Sequence, residues 1–273
     1  SIGLSGTSCT DPNGLCNSAA VISPVPGTNT LADVSGTHSY QRFNPSLGFA
    51  YQLSPRLTGF ANYAEGFRTP SAIELACADP NSPCSGIPNA FGADPDLKAV
   101  VSKTIEIGFR GNVADRLHWR AAAFHSMLYD DILFNQTNAV QGYFSNVGKT
   151  LRQGVELGLD GKADRFDYAL AASWVDATFQ SPFTLANGAN SVCIATNGAG
   201  GGCAGVVAQP GDKMPGIPAL TLKLRAGYAL TPQTRVKTTL MAQGPQYGRG
   251  DENNQDVNGR VPGFATVKLY VGH

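Results

Sequence analysis

Side chains that could do chemistry are sparse in this sequence, and His125 beside Ser126 is the best-placed pair. A histidine next to a serine suggests a general base that activates a nucleophile. Neighbouring residues of a β-strand point to opposite faces, however, so these two side chains cannot meet. His38, His118 and His273 stand apart from clustered Asp, Glu or Cys residues, which argues against a metal site. The sequence therefore predicts no enzyme, no metal site and no cofactor.

Two further segments have compositions that suggest ligand binding. Asp251, Glu252, Asn254 and Asp256 offer the hard oxygen ligands that calcium prefers. Their spacing differs from that of an EF-hand, so we expect a solvated loop. The stretch Gly198 to Gly202 is rich enough in glycine to cradle a phosphate, but no Lys-Ser/Thr pair follows it. We interpret it as a loop tip.

The six cysteines form three closely spaced pairs in segments rich in Gly, Pro, Asn and Ser. The pairs are Cys9 with Cys16, Cys77 with Cys84, and Cys193 with Cys203. Pairing by proximity closes three small loops, and such disulfides require an oxidising compartment. Metal binding is the alternative, but the spacings are not those of a zinc site and no histidine lies near any pair. We expect three disulfides.

Composition narrows the classes of partner. The 273 residues carry no net charge and only 15% are charged, so neither nucleic acid nor another polyanion is an expected partner. No apolar run reaches about 18 residues, which excludes a helical membrane span. A membrane β-barrel stays possible because its strands hide the apolar signal in alternation.

Several segments alternate between apolar and polar residues with a period of two. From Leu220 to Leu230, leucine, alanine and tyrosine occupy one face, and the other face carries Lys223 and Arg225. This pattern predicts a strand with one wet side. The segment Phe166 to Trp174 repeats it with aromatic residues near both ends, as in the two interfacial girdles of a membrane barrel.

About nine strands follow from this pattern. They are Arg42–Leu53, Arg56–Phe67, Thr104–Arg110, Leu117–Ala123, Val155–Asp160, Phe166–Trp174, Leu220–Leu230, Arg235–Gln243 and Phe264–Val271. Short turns and long loops alternate between them. The predicted turns are Ser54-Pro55, Gly111–Arg116, Lys162–Arg165 and Thr231–Gln233, and the predicted loops span residues 67–100, 135–142, 180–218 and 244–263.

These features predict an all-β, antiparallel, up-and-down membrane β-barrel segment. We expect residues 1–40 to form a long extracellular loop, and residues 41–273 to form strands joined by short periplasmic turns and long extracellular loops. The chain opens in polar sequence without a signal peptide and stops in strand-like sequence. We therefore expect a piece of a longer protein.

Three stretches resemble the barrel of TonB-dependent outer-membrane receptors. The most specific runs from Tyr63 to Ser71 and reads Tyr-Ala-Glu-Gly-Phe-Arg-Thr-Pro-Ser. The second combines Tyr129–Phe134, Ser145–Lys149 and Gly154–Leu159, in the order and spacing of a hairpin of that family. The third joins Gln246–Asn254 to Pro262-Gly263-Phe264.

The resemblance implies a bacterial outer-membrane receptor that takes up a ferric siderophore, cobalamin or a similar scarce nutrient without chemical change. It implies a larger barrel of about 22 strands, of which this chain supplies wall and capture loops. Expected partners are outer-membrane lipid, a small-molecule ligand, and the TonB energy-coupling complex acting through a plug domain, which this sequence does not contain.

The resemblance also implies ligand-binding residues at the rim on the long-loop side. They are Arg68, Tyr143, Phe144, Tyr247 and Arg249. Arginine supplies paired donors for an anionic chelate, and aromatic rings supply stacking area. The alternative for the aromatic residues is an interfacial girdle, and for Arg68 an ion pair with Glu65 or another wall carboxylate.

Three other functions remain open at this point. A non-transporting structural or adhesion barrel would bind a neighbouring cell through its disulfide-closed loops. A barrel-borne hydrolase is opposed by the opposite facing of His125 and Ser126. A soluble β-sandwich is disfavoured by the strand lengths and by the placement of the aromatic residues.

Overall fold

A computed structural model gives the fold. It describes residues 38–78, 84–85, 97–114, 116–136, 141–185, 190–192, 194–195 and 203–272. The loop predicted at residues 1–40 lies almost wholly outside these ranges, as do Gly198 to Gly202.

The described residues form fifteen strands and one short helix. In chain order these are β1 (Ser46–Ser54), β2 (Leu57–Arg68), α1 (Ala72–Ala76), β3 (Cys84–Ser85), β4 (Val100–Val113), β5 (Leu117–Tyr129), β6 (Ile132–Gln136), β7 (Gln141–Asn146), β8 (Thr150–Ala163), β9 (Phe166–Phe179), β10 (Phe183–Leu185), β11 (Ile194–Ala195), β12 (Cys203–Ala208), β13 (Leu220–Ala229), β14 (Arg235–Gln243) and β15 (Phe264–Gly272).

Nine long strands make one antiparallel sheet in the order β1-β2-β4-β5-β8-β9-β13-β14-β15. Each strand therefore pairs with the next long strand along the chain, which is an up-and-down meander. The prediction of nine strands is confirmed, and the first strand begins at Ser46 rather than Arg42. The four predicted short turns connect their strands as expected. Among the described residues, no helix is long and apolar enough to cross a membrane.

The large sheet has one apolar face and one polar face. On β4 the apolar face carries Ile105, Ile107 and Phe109, while Glu106 and Arg110 lie on the polar face. No layer of the described residues covers these side chains: Ile107 is 56% exposed and Leu269 on β15 is 71% exposed. An apolar face that is open along a whole sheet is the surface that lipid solvates.

Burial is concentrated at the long-loop end of the sheet, where two hydrophobic clusters form. The first loop core contains Ala78, Leu97, Val100 and Ile132, with Leu75, Leu128 and Phe144 packed against it. The second loop core contains Ala177, Phe179, Ala208 and Met214, with Leu133, Val175, Phe183 and Ile217 packed against it. The ring of Phe179 is fully buried. These loops are therefore packed structures.

Secondary structure inside the long loops is where the sequence-based expectation was incomplete. Strands β6 and β7 form a hairpin around the loop predicted at residues 135–142, and β3 pairs with β7. Strands β10, β12 and β11 form a second small sheet within the loop predicted at residues 180–218. Strands of two to six residues are too short to show a periodic signal, so alternation alone could not reveal them.

Close strand approach on the polar face imposes glycine at position 154 of β8. A Cβ added to Gly154 would lie 2.1 Å from the carbonyl oxygen of Trp174 on β9. On the same face of the same strand, a Cβ at Gly158 would meet no atom closer than the Cγ of Arg120 at 3.7 Å. The two glycines thus share a strand and a face but differ in the space above them.

We expect Gly154→Val to prevent assembly of the sheet, because the new side chain collides with backbone that cannot move without breaking the β8–β9 pairing. Gly158→Val should fold normally, since valine suits a strand and has room there. The electrophoretic mobility of unheated complete protein separates folded from unfolded barrel-type sheets. Equal folded fractions for the two variants would contradict this account.

Candidate functional site

The five predicted rim residues all lie at the long-loop end, and the structure divides them into two groups. Arg68 ends β2, and Tyr143 and Phe144 lie in β7 near it. Tyr247 and Arg249 lie in the loop between β14 and β15. In the first group, Phe144 packs against the first loop core and Arg68 pairs with Glu74 of α1. In the second group, Tyr247 contacts Gly216, in the loop that contains β10 to β12.

The disulfide predicted between Cys77 and Cys84 is present, with the two Cα atoms 5.6 Å apart. It joins the end of α1 to β3, and Cys84 is the register partner of Gly142 in β7. The amide of Phe144 donates to the carbonyl of Cys77 over 2.6 Å. The helix, the disulfide and the β6–β7 hairpin therefore form one unit. Cys9, Cys16 and Cys193 lie outside the described residues, and nothing is described of the Cys203 side chain.

Phe144 anchors this unit. Its ring packs edge to face on Phe134 of β6, with centroids 5.1 Å apart, and it contacts the first loop core. Tyr143 is the preceding residue of the same strand and therefore points to the opposite side of the hairpin. The two aromatic residues are adjacent in sequence but differ in environment. Phe144 packs against the first loop core, and Tyr143 is half-exposed.

Arg68 forms an ion pair with Glu74 of α1, with Nη1 and Oε2 2.6 Å apart. The same Oε2 accepts hydrogen bonds from the amide and the hydroxyl of Ser71, and the Ser71 Oγ accepts from the amide of Glu74. This reciprocal arrangement is a capping box, which fixes where α1 begins. Ser-x-x-Glu is the sequence signature of such a helix start.

The electrostatics of this corner favour an ionised Glu74. Burial alone would raise the pKa of Glu74, but the hydrogen bonds from Arg68 and Ser71 outweigh it and hold the pKa below its usual value. Arg68 keeps about half of its side-chain surface exposed although it is paired. It can therefore present its remaining N–H donors to a ligand.

The specific pairing of Arg68 with Glu65 was wrong. Glu65 lies on the apolar face, where it accepts hydrogen bonds from Tyr63 and Arg42 and pairs with Lys103 at 3.3 Å. Arg68 lies three positions after Glu65, so strand alternation places the two side chains on opposite faces.

A buried carboxylate fixes the base of the β6–β7 hairpin and was not anticipated. Asp131 accepts hydrogen bonds from the Thr150 hydroxyl over 2.7 Å and from the Ile132 amide over 3.0 Å. Arg152 of β8 pairs with the same carboxylate at 3.1 Å. The preceding Asp130 has a positive φ of 52°, which turns the chain out of β5. The hairpin is thus locked onto the sheet by polar contacts as well as by packing.

Tyr247 and Arg249 lie where two long loops meet. The Tyr247 carbonyl accepts a hydrogen bond from the Gly216 amide over 2.9 Å, and the Arg260 guanidinium lies 5.9 Å from the Tyr247 ring. Arg249 is exposed at the turn that follows. Tyr247 is therefore partly engaged within the loop, and Arg249 faces solvent.

Asp251 and Glu252 are buried, so the expectation of a solvated loop was wrong for these two residues, whereas Asn254 and Asp256 stay partly exposed. Asp251 is 5% exposed and Glu252 is 8% exposed. Asn190, between β10 and β11, holds this segment in place. Its side-chain amide donates hydrogen bonds to the Gly250 carbonyl and to the Asn253 side chain in the loop between β14 and β15. We call this contact between the loops the polar junction. In the described part of the chain, no group of three or more His, Cys, Asp or Glu side chains is arranged to hold a metal.

Glu252 is the electrostatically unfavourable member of the polar junction. Burial raises the pKa of Glu252, and the neighbouring Asp251 carboxylate adds to that rise, while the hydrogen bond from the Gly250 amide opposes it. A carboxyl group in this position is stabilised in its neutral form.

The opposite facing predicted for His125 and Ser126 is confirmed. The His125 ring shares a 3.2 Å hydrogen bond with Gln153 on the apolar face. The Ser126 hydroxyl shares a 2.8 Å hydrogen bond with Thr104 on the polar face. Neither side chain can activate the other.

We expect Ser71→Ala to loosen α1 and, with it, the position of Glu74 against Arg68. Loss of an N-cap costs about 1 kcal/mol, which corresponds to about fivefold faster amide exchange over residues 71–76. Hydrogen exchange followed by mass spectrometry measures this. Thr69→Ala, which removes an exposed hydroxyl two residues away, should leave the exchange unchanged. Equal protection of α1 in both variants would show that the capping box does not hold the helix.

The polar junction should be more stable with a neutral side chain at position 252. Because the folded pKa of Glu252 is raised, its contribution to stability is full below the ordinary carboxyl pKa and is lost as pH rises through the folded value. Glu252→Gln removes that loss, so residues 250–256 should exchange more slowly in the variant at pH 7 and similarly in both proteins in acid. Faster exchange in the variant at pH 7 would refute the assignment.

Comparison with known proteins agrees with this architecture. A model of the TonB dependent receptor-like β-barrel family matches residues 23–273. The siderophore receptor PiuA from Acinetobacter baumannii superposes with a TM-score of 0.56 at 20% identity, over 83% of this chain and 28% of its own. The copper transporter OprC gives a TM-score of 0.58 at 16% identity, over 83% and 30%.

The ferric yersiniabactin uptake receptor FyuA from Yersinia pestis gives a TM-score of 0.54 at 19% identity, over 83% of this chain and 29% of its own. The present chain thus spans less than a third of the length of these proteins, and at such identities the likeness concerns the fold. The family match covers nearly all of the sequence. The chain therefore belongs to the TonB-dependent receptors of the bacterial outer membrane, and its large sheet is part of their β-barrel.

Proposed function

We propose that this chain supplies barrel wall and ligand-capture loops to a receptor that imports a ferric siderophore or a similar scarce nutrient. The long-loop end would face the outside and the short turns the periplasm. The observation that carries the proposal is the packed loop end, which holds arginine and tyrosine side chains at the rim of a polar-faced wall. A capture surface needs such fixed positions, because loops that are already ordered lose less entropy when a ligand binds.

Each rim residue has a distinct role in this proposal. Arg68 and Arg249 supply exposed guanidinium groups for an anionic chelate. Tyr143 and Tyr247 supply rings and hydroxyl groups for stacking and hydrogen bonding. Phe144 acts indirectly, by holding β7 and hence Tyr143 against the first loop core.

The substrate class follows from the chemistry of the rim together with the relatives. PiuA is described as a siderophore receptor, FyuA as a ferric yersiniabactin uptake receptor and OprC as a copper transporter. Arginine and aromatic side chains suit an anionic metal chelate better than a bare cation. We therefore place ferric siderophores first, with cobalamin and copper as the alternatives to be tested.

The polar face has its own part in transport. It carries both signs of charge: Glu106, Arg110, Arg120, Glu156, Lys223, Arg225 and Lys237. Arg120 and Glu156 form an ion pair across β5 and β8 at 3.3 Å. In the complete receptor these groups would hydrogen-bond a plug domain, which the TonB complex would remodel during transport.

Uptake by cells that express the complete receptor tests the proposal. Radiolabelled ferric siderophores, cobalamin and copper should be offered with and without a proton uncoupler. Import of one class that stops with the uncoupler would support transport. Arg68→Ala and Arg249→Ala should each raise the half-saturating concentration about tenfold, as expected for the loss of one charged hydrogen bond.

Arg56→Ala is the matched control, because Arg56 lies in a short turn at the opposite end of the barrel. Its uptake should equal that of the unchanged receptor. Absence of uptake for every compound, together with binding of cells or surfaces through the long loops, would favour the adhesion barrel instead.

A further inference from the structure

The polar junction contains two adjacent carboxyl groups that are both buried. Asp251 and Glu252 follow one another in the loop between β14 and β15, and they are 5% and 8% exposed. We call them the acidic pair. Two like charges this close together, and this far from water, oppose each other's ionisation. A fully ionised polar junction therefore carries an electrostatic cost.

Each carboxyl group of the acidic pair uses one oxygen and leaves the other without a partner. The Oδ1 atom of Asp251 accepts a hydrogen bond from the Asp256 amide over 2.9 Å, and the Oε1 atom of Glu252 accepts one from the Gly250 amide over 3.0 Å. The Asp251 Oδ2 and Glu252 Oε2 atoms are buried, and within the described ranges neither has a hydrogen-bond partner. Buried polar atoms are nearly always paired, so these two oxygens require an explanation.

A single proton accounts for both unpartnered oxygens. Neutralising one carboxyl group removes the repulsion between the two, lowers the cost of burial, and supplies an O–H donor where only acceptors are present. Glu252 is the group that holds the proton, because burial and the neighbouring Asp251 both raise the pKa of Glu252.

The nearby cation and the facing loop do not reverse this preference. Arg249 lowers the pKa of Glu252, but its effect is smaller than that of burial and that of Asp251. The facing segment, residues 190–192, contributes no titratable side chain. The pKa of Glu252 therefore stays above its usual value.

Two other charged groups of the polar junction already have partners. Asp256 accepts hydrogen bonds from the Asn258 and Ser191 amides, which hold the pKa of Asp256 below its usual value. Lys213 hydrogen-bonds this loop through its backbone, and its ammonium pairs with Asp176 of β9. The partners of both side chains thus lie outside the acidic pair.

Two sets of hydrogen bonds join the facing loops at the polar junction. In the first set, the Asn190 side-chain amide donates to the Gly250 carbonyl over 2.8 Å and to the Asn253 side chain over 3.0 Å. In the second set, the Ser191 hydroxyl accepts from the Val257 amide over 2.8 Å. The first set lies on both sides of the acidic pair in the sequence. The second set lies beyond it and involves no titratable group.

Gly250 connects the acidic pair to Arg249. Its carbonyl accepts from Asn190 and its amide donates to Glu252, so the residue directly after Arg249 is held from both sides. Arg249 itself is exposed. The backbone position of this exposed arginine therefore depends on the two contacts of Gly250.

We infer that the polar junction is a proton-dependent contact: one proton on the acidic pair holds the two loops together, and its loss lets them part and releases Arg249 from its fixed position. Opening the contact between Asn190 and Gly250 lets water reach the two unpartnered oxygens, so ionisation favours the open form. The stabilisation is complete below the ordinary carboxyl pKa and is lost as pH rises through the raised pKa of Glu252. The consequence for capture rests on the proposed function, which makes Arg249 a capture residue, whereas the contact itself does not.

Hydrogen exchange of the complete, detergent-purified receptor at about pH 5 and about pH 8 tests this inference. The rates for residues 190–192 and 249–256 are divided by the intrinsic chemical rates at each pH. In the unchanged receptor, protection of both segments should fall about fivefold from the lower to the higher pH, as expected for the loss of one hydrogen bond. Glu252→Gln mimics the neutral acid, so both segments should keep their acid-state protection at both pH values.

Ser191→Ala is the matched control, because it weakens the second set of hydrogen bonds without touching the acidic pair. It should lower protection by the same factor at both pH values and should retain the pH dependence. The electrophoretic mobility of unheated protein should show that all three proteins are folded.

Equal protection of the unchanged receptor at the two pH values would overturn the inference, and so would a pH dependence that survives in Glu252→Gln. A fall confined to residues 249–256, with residues 190–192 unchanged, would place the effect of the proton in one loop alone and would also overturn it. These measurements need no transported compound. A receptor that imports nothing but shows the expected exchange would leave the proton-dependent contact standing while the transport proposal fails.

Discussion

The need to pair every backbone amide and carbonyl group determines the strand order of this molecule and the placement of its loops. A strand exposed to hydrocarbon finds no water for its amide and carbonyl groups, so every one of them must be satisfied by a neighbouring strand. Between β1 and β15, the nine-stranded meander meets this demand by pairing each strand with the next long strand along the chain. Successive strands must then turn back at alternate ends. One end can use tight turns, and the other end receives the long loops with all of their packing.

Strand pairing also explains why the described residues form no hydrophobic core against either face of the large sheet. Side chains on the two faces of the large sheet meet different surroundings, lipid on one side and polar groups on the other, and neither face needs a protein layer. Burial moves to the loop end, where Phe179 and Val206 are fully enclosed. Strand pairing also requires glycine at position 154, because β8 and β9 approach so closely there that no side chain fits.

The sequence was sufficient for the large sheet and insufficient for its loops. Alternation with a period of two is a local signal, so nine strands and four turns could be predicted. The hydrogen bond between Phe144 and Cys77, and that between Asn190 and Gly250, join residues far apart in the chain, and no local pattern announces them. The burial of Asp251 depends on the contact between Asn190 and Gly250. The opposite facing of Glu65 and Arg68, in contrast, follows from strand alternation alone, and Ser-x-x-Glu is a local signal for the start of α1.

The two loop cores are not independent, because the β6–β7 hairpin belongs to both. Ile132 lies in the first loop core, and the next residue, Leu133, packs against the second. Because β6 packs in both loop cores, it couples the two neighbouring loops. An insertion in one loop must therefore preserve the packing of the other, so the shared hairpin limits where either loop can change. The exterior of this receptor can vary in its surface chemistry while its loop bases keep one architecture.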